Sequence, residues 1–264
     1  MHPEYETLRL DEPVPHVTVI TMNRPQVLNA LNTQMMADLR DCFASYYVDQ
    51  HETRCLVLTG AGEKGFCAGA DLKERNGMSD AVWRRQHAII EQAIRAIMDC
   101  PIPIIAAVNG AAYAGGCELA LACDFIYAVP HARFAQTEVA LGIIPGAMGT
   151  QNLPRSIGIR RAKEVILTAT PFTAEEALAW GLVNKLVPSD RLMAEVLDTA
   201  SRIAANAPIA VRQAKRALDK SQDLDRANGY SFEIEAYNRT VDTEDRHEGI
   251  RAFNEKRKPV FKGR

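Results

Sequence analysis

Two glutamates in this chain sit among residues that rarely surround a surface charge. Glu118 closes the segment Asn109-Gly-Ala-Ala-Tyr-Ala-Gly-Gly-Cys-Glu118 and is flanked by Cys117, Leu119, Ala120 and Leu121. The Gly115-Gly116 turn is expected to open a helix, with Glu118 in its first turn. Unpaired N–H groups and the positive end of the helix dipole favour an ionised carboxylate there. Glu138 is the only charge between Arg133 and Arg155, and Val139, Ala140, Leu141, Ile143 and Ile144 follow it. If buried there, its carboxyl is expected to hold a proton more tightly, because desolvation disfavours the anion. An ionised Glu118 suits a general base and a protonated Glu138 a general acid, a recurrent division of labour between paired carboxyls. Spacing alone does not bring the two together.

Two glycine-bearing segments could stabilise an oxyanion. Gly115 stands where a strand runs into a helix, so its amide can donate to developing negative charge. The stretch Gly65-Phe-Cys-Ala-Gly-Ala-Asp71 offers further amides, since glycines at 65 and 69 allow close backbone approach. Taken singly, each segment also fits a plain surface loop, and each glutamate a solvated carboxylate.

The elements that must position these groups read as α/β. His16–Met22, Cys55–Thr59, Ile104–Val108 and Asp124–Val129 are short strands rich in β-branched or small apolar residues. Between them lie expected helices over Thr33–Val48, Ser79–Asp99 and Gly116–Ala122, with Pro101 and Pro103 stopping the second. Strand, crossover helix, strand is the pattern of a mostly parallel sheet covered by helices. Loops at the carboxyl ends of such strands carry function. Thr173 and Glu176 form a capping box for a helix ending at Trp180-Gly181, and a short strand is expected over Val183–Val187. Beyond residue 190 the pattern is helical: Arg191–Asn206, Pro208–Lys220, Leu224–Val241 and Glu244–Lys256. The expected division is a core over residues 1–190 and a helical region over 191–264. Apolar stripes on helices with no sheet of their own pack against another subunit, or back on their own core.

Composition narrows the partners. The chain has 264 residues, 47% of them apolar and 24% charged, with a net charge of -2. That balance suits a globular enzyme and gives no electrostatic footprint for nucleic acid. No apolar run reaches membrane-spanning length. The first ten residues, MHPEYETLRL, lack the basic and apolar regions of a secretory signal. The cysteines (Cys42, Cys55, Cys67, Cys100, Cys117 and Cys123) form no metal-ligand spacing and read as reduced thiols in the cytoplasm. No metal site is expected.

In combination and in order, five stretches resemble the crotonase superfamily, the enoyl-CoA hydratase/isomerase family. They are NRPQVLNALN (23–32), GFCAGADLKE (65–74), PIIAAVNGAAYAGGCELALACD (103–124), FAQTEVALGIIPGAMGTQNLPRSIG (134–158) and TAEEALAWGLVNKLV (173–187). The resemblance implies a crotonase-like spiral of ββα units with a C-terminal helical trimerisation region, in a homotrimer or homohexamer. It implies an acyl-CoA thioester substrate and no cofactor, coenzyme A being part of the substrate. It places Ala68 and Gly115 as the oxyanion-hole donors, and Glu118 and Glu138 as the two hydratase glutamates. Ala68, Gly69, Ala70, Asp71, Gly115 and Gly146 would line the substrate site. Arg24, Lys64, Lys256 and Lys258 are candidate contacts for the coenzyme A phosphates. Keeping both glutamates favours a hydratase over the alternative, a double-bond isomerase working with one. An RNA-associated role, seen in one branch of the family, is opposed by the near-neutral charge. Ala114 and Met148 stand where the family pattern commonly has glycine.

Overall fold

The computed structural model describes residues 4–50 and 52–264; residues 1–3 of the N-terminal decapeptide fall outside them. The chain opens with β1 (Leu8–Val14), β2 (Val17–Met22), α1 (Thr33–Val48), β3 (Cys55–Gly60), β4 (Gly65–Cys67), α2 (Leu72–Arg75) and α3 (Asp80–Met98). It continues through β5 (Ile104–Val108), β6 (Ala111–Tyr113), α4 (Gly115–Ala122), β7 (Phe125–Ala128), β8 (Arg133–Ala135), α5 (Gly149–Ile157) and α6 (Ile159–Thr168). It ends with β9 (Phe172–Thr173), α7 (Ala174–Trp180), β10 (Lys185–Leu186), α8 (Leu192–Ala204), α9 (Pro208–Lys220), α10 (Arg226–Val241) and α11 (Glu244–Asn254).

Six strands make one sheet in the order β1-β2-β3-β5-β7-β10, and four make a second in the order β4-β6-β8-β9. In the first sheet only β1 runs antiparallel to its neighbour; in the second, only β9 does. Each turn of chain therefore lays one strand in the large sheet and the next in the small one, then adds a helix. β3-β4-α2, β5-β6-α4 and β7-β8-α5 are three such turns, the spiral of ββα units expected above. Every residue of β2, β3 and β5 is buried. A parallel sheet covered on both faces selects such continuous apolar runs.

Local chemistry sets the helix ends. Asn32 caps α1 by accepting from the Met35 amide, and Ser79 caps α3 through the Val82 amide. The Thr173/Glu176 capping box is present, and α7 ends at Gly181 with φ 85°. The expected strand over Val183–Val187 contracts to β10. Among the elements not expected from sequence are β1, with its charge-rich LRLDEPV, and β4, β6 and β8, three residues each. A three-residue strand is too short to show a period. No element is expected from sequence between Pro145 and Thr173, where α5 and α6 lie.

Helix α8, which the expected division at residue 190 assigns to the C-terminal region, packs against the core sheet. Leu192, Val196, Ala200 and Ala204 form a buried stripe at i, i+4 spacing on α8 and join the core cluster against β2, β3 and β5. Arg54 seals that end, donating to the carbonyls of Ala204 (3.1 Å) and Phe261 (2.9 Å). In α10 and α11 most side chains are exposed.

Candidate active site

Two chain segments meet at the carboxyl ends of β4 and β6. A Cβ on Gly116 would overlap the Cys67 carbonyl, so only glycine permits this approach. Gly69 has φ 88°, and a Cβ there would lie 2.8 Å from the Tyr113 carbonyl and 3.4 Å from the Gly115 nitrogen. The 67–70 strand end is thereby pressed against the first turn of α4, whose leading amides have no partner within the helix.

Hydrogen bonding decides which amides remain available. The Ala68 amide donates to the Leu28 carbonyl at 3.0 Å. The expected donor pair, Ala68 with Gly115, therefore needs correcting. Leu31 bridges to Ala70 in parallel fashion: the Leu31 amide donates to Gly69 O (2.8 Å), and the Asp71 amide to Leu31 O (2.9 Å). In such a bridge the N–H of the central residue faces the other way. Ala70, whose amide finds no backbone acceptor among the described residues, lines one cavity together with Gly115. Ala70 and Gly115 are the available pair; Ala68 contributes only wall.

Glu118 is 3% exposed. Its Oε1 accepts the amides of Ala147 and Gly149, both at 2.8 Å. These converge because Met148, between them, adopts a left-handed conformation with φ 71°. Burial raises the Glu118 pKa, and the Gly149 and Ala147 amides pull it back. The sequence reading credited the α4 N-terminus with keeping this group ionised; the two facing amides are the hydrogen-bond donors that favour the anion.

Glu138 opens a single 3-10 turn, Glu138–Leu141, and is 6% exposed. Neither of its carboxylate oxygens has a hydrogen-bond partner among the described residues. Burial, then the charge of Glu118, pushes its pKa up from 4.5 to about 7. Glu118 thus accepts two backbone amides that favour its anion, whereas burial and the Glu118 charge favour the protonated form of Glu138.

Both carboxyls, Ala70, Gly115 and Gly146 line one cavity of about 600 Å³. Other lining residues were not singled out from the sequence, among them Arg75, Trp83, His87 and Ile90. Trp83, His87 and Ile90 fall at i, i+4, i+7 on α3, a helical face visible in the sequence but without a signal that it meets the glutamates. Asp71 and Gly69, expected as substrate contacts, are structural. Asp71 caps α2 through the Lys73 and Glu74 amides and pairs with Arg24 at 3.0 Å. Arg24 is thereby tied to the loop instead of free for a phosphate. Lys64 lines a different groove, of about 1140 Å³, beside Gly60, Asn109 and Val129. Its carboxylates, Asp11, Glu12, Glu63 and Asp190, are all exposed. Among the described residues, no cluster of His, Cys, Asp or Glu could hold a metal. All six cysteines are buried free thiols, and burial lifts Cys67, beside the site, to about 12.

Comparison with known proteins identifies the family. The family model described as enoyl-CoA hydratase/isomerase matches residues 14–264. The short-chain-enoyl-CoA hydratase of Clostridium acetobutylicum is 42% identical over 242 residues, spanning 92% of this chain and 92% of that protein. The crotonyl-CoA hydratase of Syntrophomonas wolfei is 40% identical over 257 residues, spanning 97% and 98%. The crystal structure of an enoyl-CoA hydratase from Bacillus anthracis matches with a TM-score of 0.96 at 44% identity, covering 98% of this chain and 100% of that one.

Proposed function

Since the chain belongs to the enoyl-CoA hydratase/isomerase family, we propose that it is a hydratase adding water across the 2,3-double bond of an enoyl-CoA thioester. The observation that carries this reading is the unequal pair of buried carboxyls facing one cavity: Glu118 held by two amides, Glu138 by none. Glu118 takes a proton from water as its oxygen bonds to C3. The double-bond electrons move toward the thioester, and Glu138 delivers a proton to C2. Glu118 ends protonated and Glu138 ionised, so a proton must pass back between them before the next turnover. The thioester oxygen, which gains charge during attack, is placed at the Ala70 and Gly115 amides; one such donor contributes about 2.7–4 kcal/mol in other enzymes. Nothing is oxidised or reduced, so the reaction needs no cofactor beyond the coenzyme A of the substrate. Buried thiols suit a reducing compartment, and the cytoplasm is the proposed location.

The test is hydration of crotonyl-CoA, followed by loss of the conjugated thioester absorbance. Glu118→Gln and Glu138→Gln should each lower kcat about 10²–10⁴-fold with the fold retained by circular dichroism. Near wild-type turnover in either variant would sink the two-carboxyl mechanism.

A further inference from the structure

The cavity that Glu118 and Glu138 line also holds a buried cation with no ion-pair partner among the described residues. Arg75, the last residue of α2, is 8% exposed and lines the same cavity as Glu118 and Glu138. Its Nε donates to Gln86 Oε1 at 2.8 Å, and its guanidinium lies 4.3 Å over the Trp83 ring. Among the described residues it forms no ion pair, and its two terminal nitrogens donate to no protein atom. The neighbouring Glu74 does not neutralise it at contact distance. Glu74 Oε2 already accepts the Thr33 amide (2.9 Å) and Gln86 Nε2 (2.8 Å). Gln86, 3% exposed, also donates to Thr33 Oγ1 at 2.8 Å, so its Oε1 is fixed toward Arg75. The guanidinium is thus held in place at one nitrogen and on one face, with its fork left open.

Buried charges in proteins are ordinarily paired, because an unpaired one loses its hydration without compensation. Burial draws the pKa of Arg75 down, yet a guanidinium stays charged in any protein setting. An open guanidinium fork is the geometry that grips a carboxylate or a phosphate at two points. Two parts of an acyl-CoA could supply that anion: the coenzyme A phosphates or an acid group on the acyl chain. The phosphates stand a full pantetheine arm from the thioester. Arg75 lies five residues beyond Ala70, one short helical turn along the same segment, and is buried within the cavity. The exposed cation on this wall is Arg84.

We infer that Arg75 receives a terminal carboxylate on the acyl group, so that the preferred substrate is a short 2-enoyl-CoA carrying a second carboxyl group at its far end. The inference rests on the hydratase reading above and specifies its substrate class.

The test compares glutaconyl-CoA with 2-pentenoyl-CoA, which lacks the terminal carboxyl, and with crotonyl-CoA. Rates are read by chromatography of the products, and affinity by titration calorimetry. A charged hydrogen bond of ordinary strength predicts a preference of about 10- to 100-fold in kcat/KM for glutaconyl-CoA over 2-pentenoyl-CoA in the wild type. Arg75→Met should abolish that ratio, and Arg75→Lys should retain part of it. No preference in the wild type overturns the inference, and this arm needs no variant to fold. An equal rise in KM for all three esters in Arg75→Met also overturns it, assigning Arg75 to the phosphates. Hydration of crotonyl-CoA without a carboxylate preference removes the inference and leaves the hydratase reading standing. Tight binding of glutaconyl-CoA over 2-pentenoyl-CoA with no hydration of any ester does the reverse.

Discussion

At the scale of single residues, the difference between Glu118 and Glu138 is a difference in donors. Both are buried, and burial alone would raise both pKa values. Two facing amides favour the Glu118 anion; Glu138 has no such pair and feels the Glu118 charge besides. That asymmetry has a pH signature. The folded state holds the Glu138 proton up to about pH 7, against an ordinary value of 4.5. The folded form therefore binds this proton more tightly than the unfolded chain does. Its contribution to stability is complete below the unfolded value and is lost as pH rises through about 7. A glutamine at 138 cannot ionise, so the melting temperature of Glu138→Gln should gain on that of wild type between about pH 5 and 8. An unchanged difference across that range, read by differential scanning calorimetry, would contradict the burial-driven shift. With Glu138 as the acid, kcat/KM for hydration should fall above about pH 7, approaching tenfold per unit, as the protonated fraction declines.

At the scale of elements, the site depends on how closely backbones approach. The turn from Ala147 to Gly149 delivers both amides to Glu118 and opens α5. A Cβ on Gly149 would stand 2.5 Å from Gln136 Oε1 and 2.7 Å from Glu118 Oε1. Gly149→Ala should thus push the carboxylate off its amides while leaving α5 intact. We expect at least a tenfold loss of kcat with circular dichroism unchanged; wild-type kcat would show that the Glu118–amide geometry is dispensable. Two neighbouring positions lie in backbone regions that favour glycine, Ala114 with φ 48° and Met148 with φ 71°. These are the positions where the sequence departs from the glycines common in its family. Such conformations cost of order 1–3 kcal/mol each and persist only where surroundings enforce them. Here Ala114 sits immediately before the Gly115 donor, and Met148 sits between the two amides that hold Glu118.

At the scale of the whole molecule, the spiral brings four stretches, residues 68–75, 83–90, 114–118 and 137–147, around one cavity together with Leu31. Helix α8 belongs to the body that carries this cavity, and α9–α11 lie beyond it. Tyr230, Tyr237 and Phe253 on these last helices are 64%, 65% and 83% exposed. Large aromatic side chains left in solvent mark a surface suited to another copy of the chain. Multi-angle light scattering should therefore report a trimer or hexamer, and charged substitutions at Tyr237 and Phe253 should lower the measured mass. A monomeric mass for the wild type would refute the proposed assembly.

The sequence by itself determined the long elements, the family and the two glutamates. Apolar runs such as CLVLT and IIAAV, with capping residues such as Ser79 and Thr173, act through their near neighbours, so they are legible along the chain. It left undetermined which amides remain open. Ala68 and Ala70 have identical side chains, and only the pairing of this strand end with Leu28 and Leu31 commits one amide and turns the other toward the cavity. Nor did the sequence show that Arg75 lines the same cavity as the glutamates, since α2 and α3 reach it through contacts between segments far apart in the chain. The sequence anticipates unequal surroundings for the two carboxyls, but for Glu118 by a different cause. The sequence suggested a helix end close by; the tertiary structure supplies two amides from about thirty residues downstream.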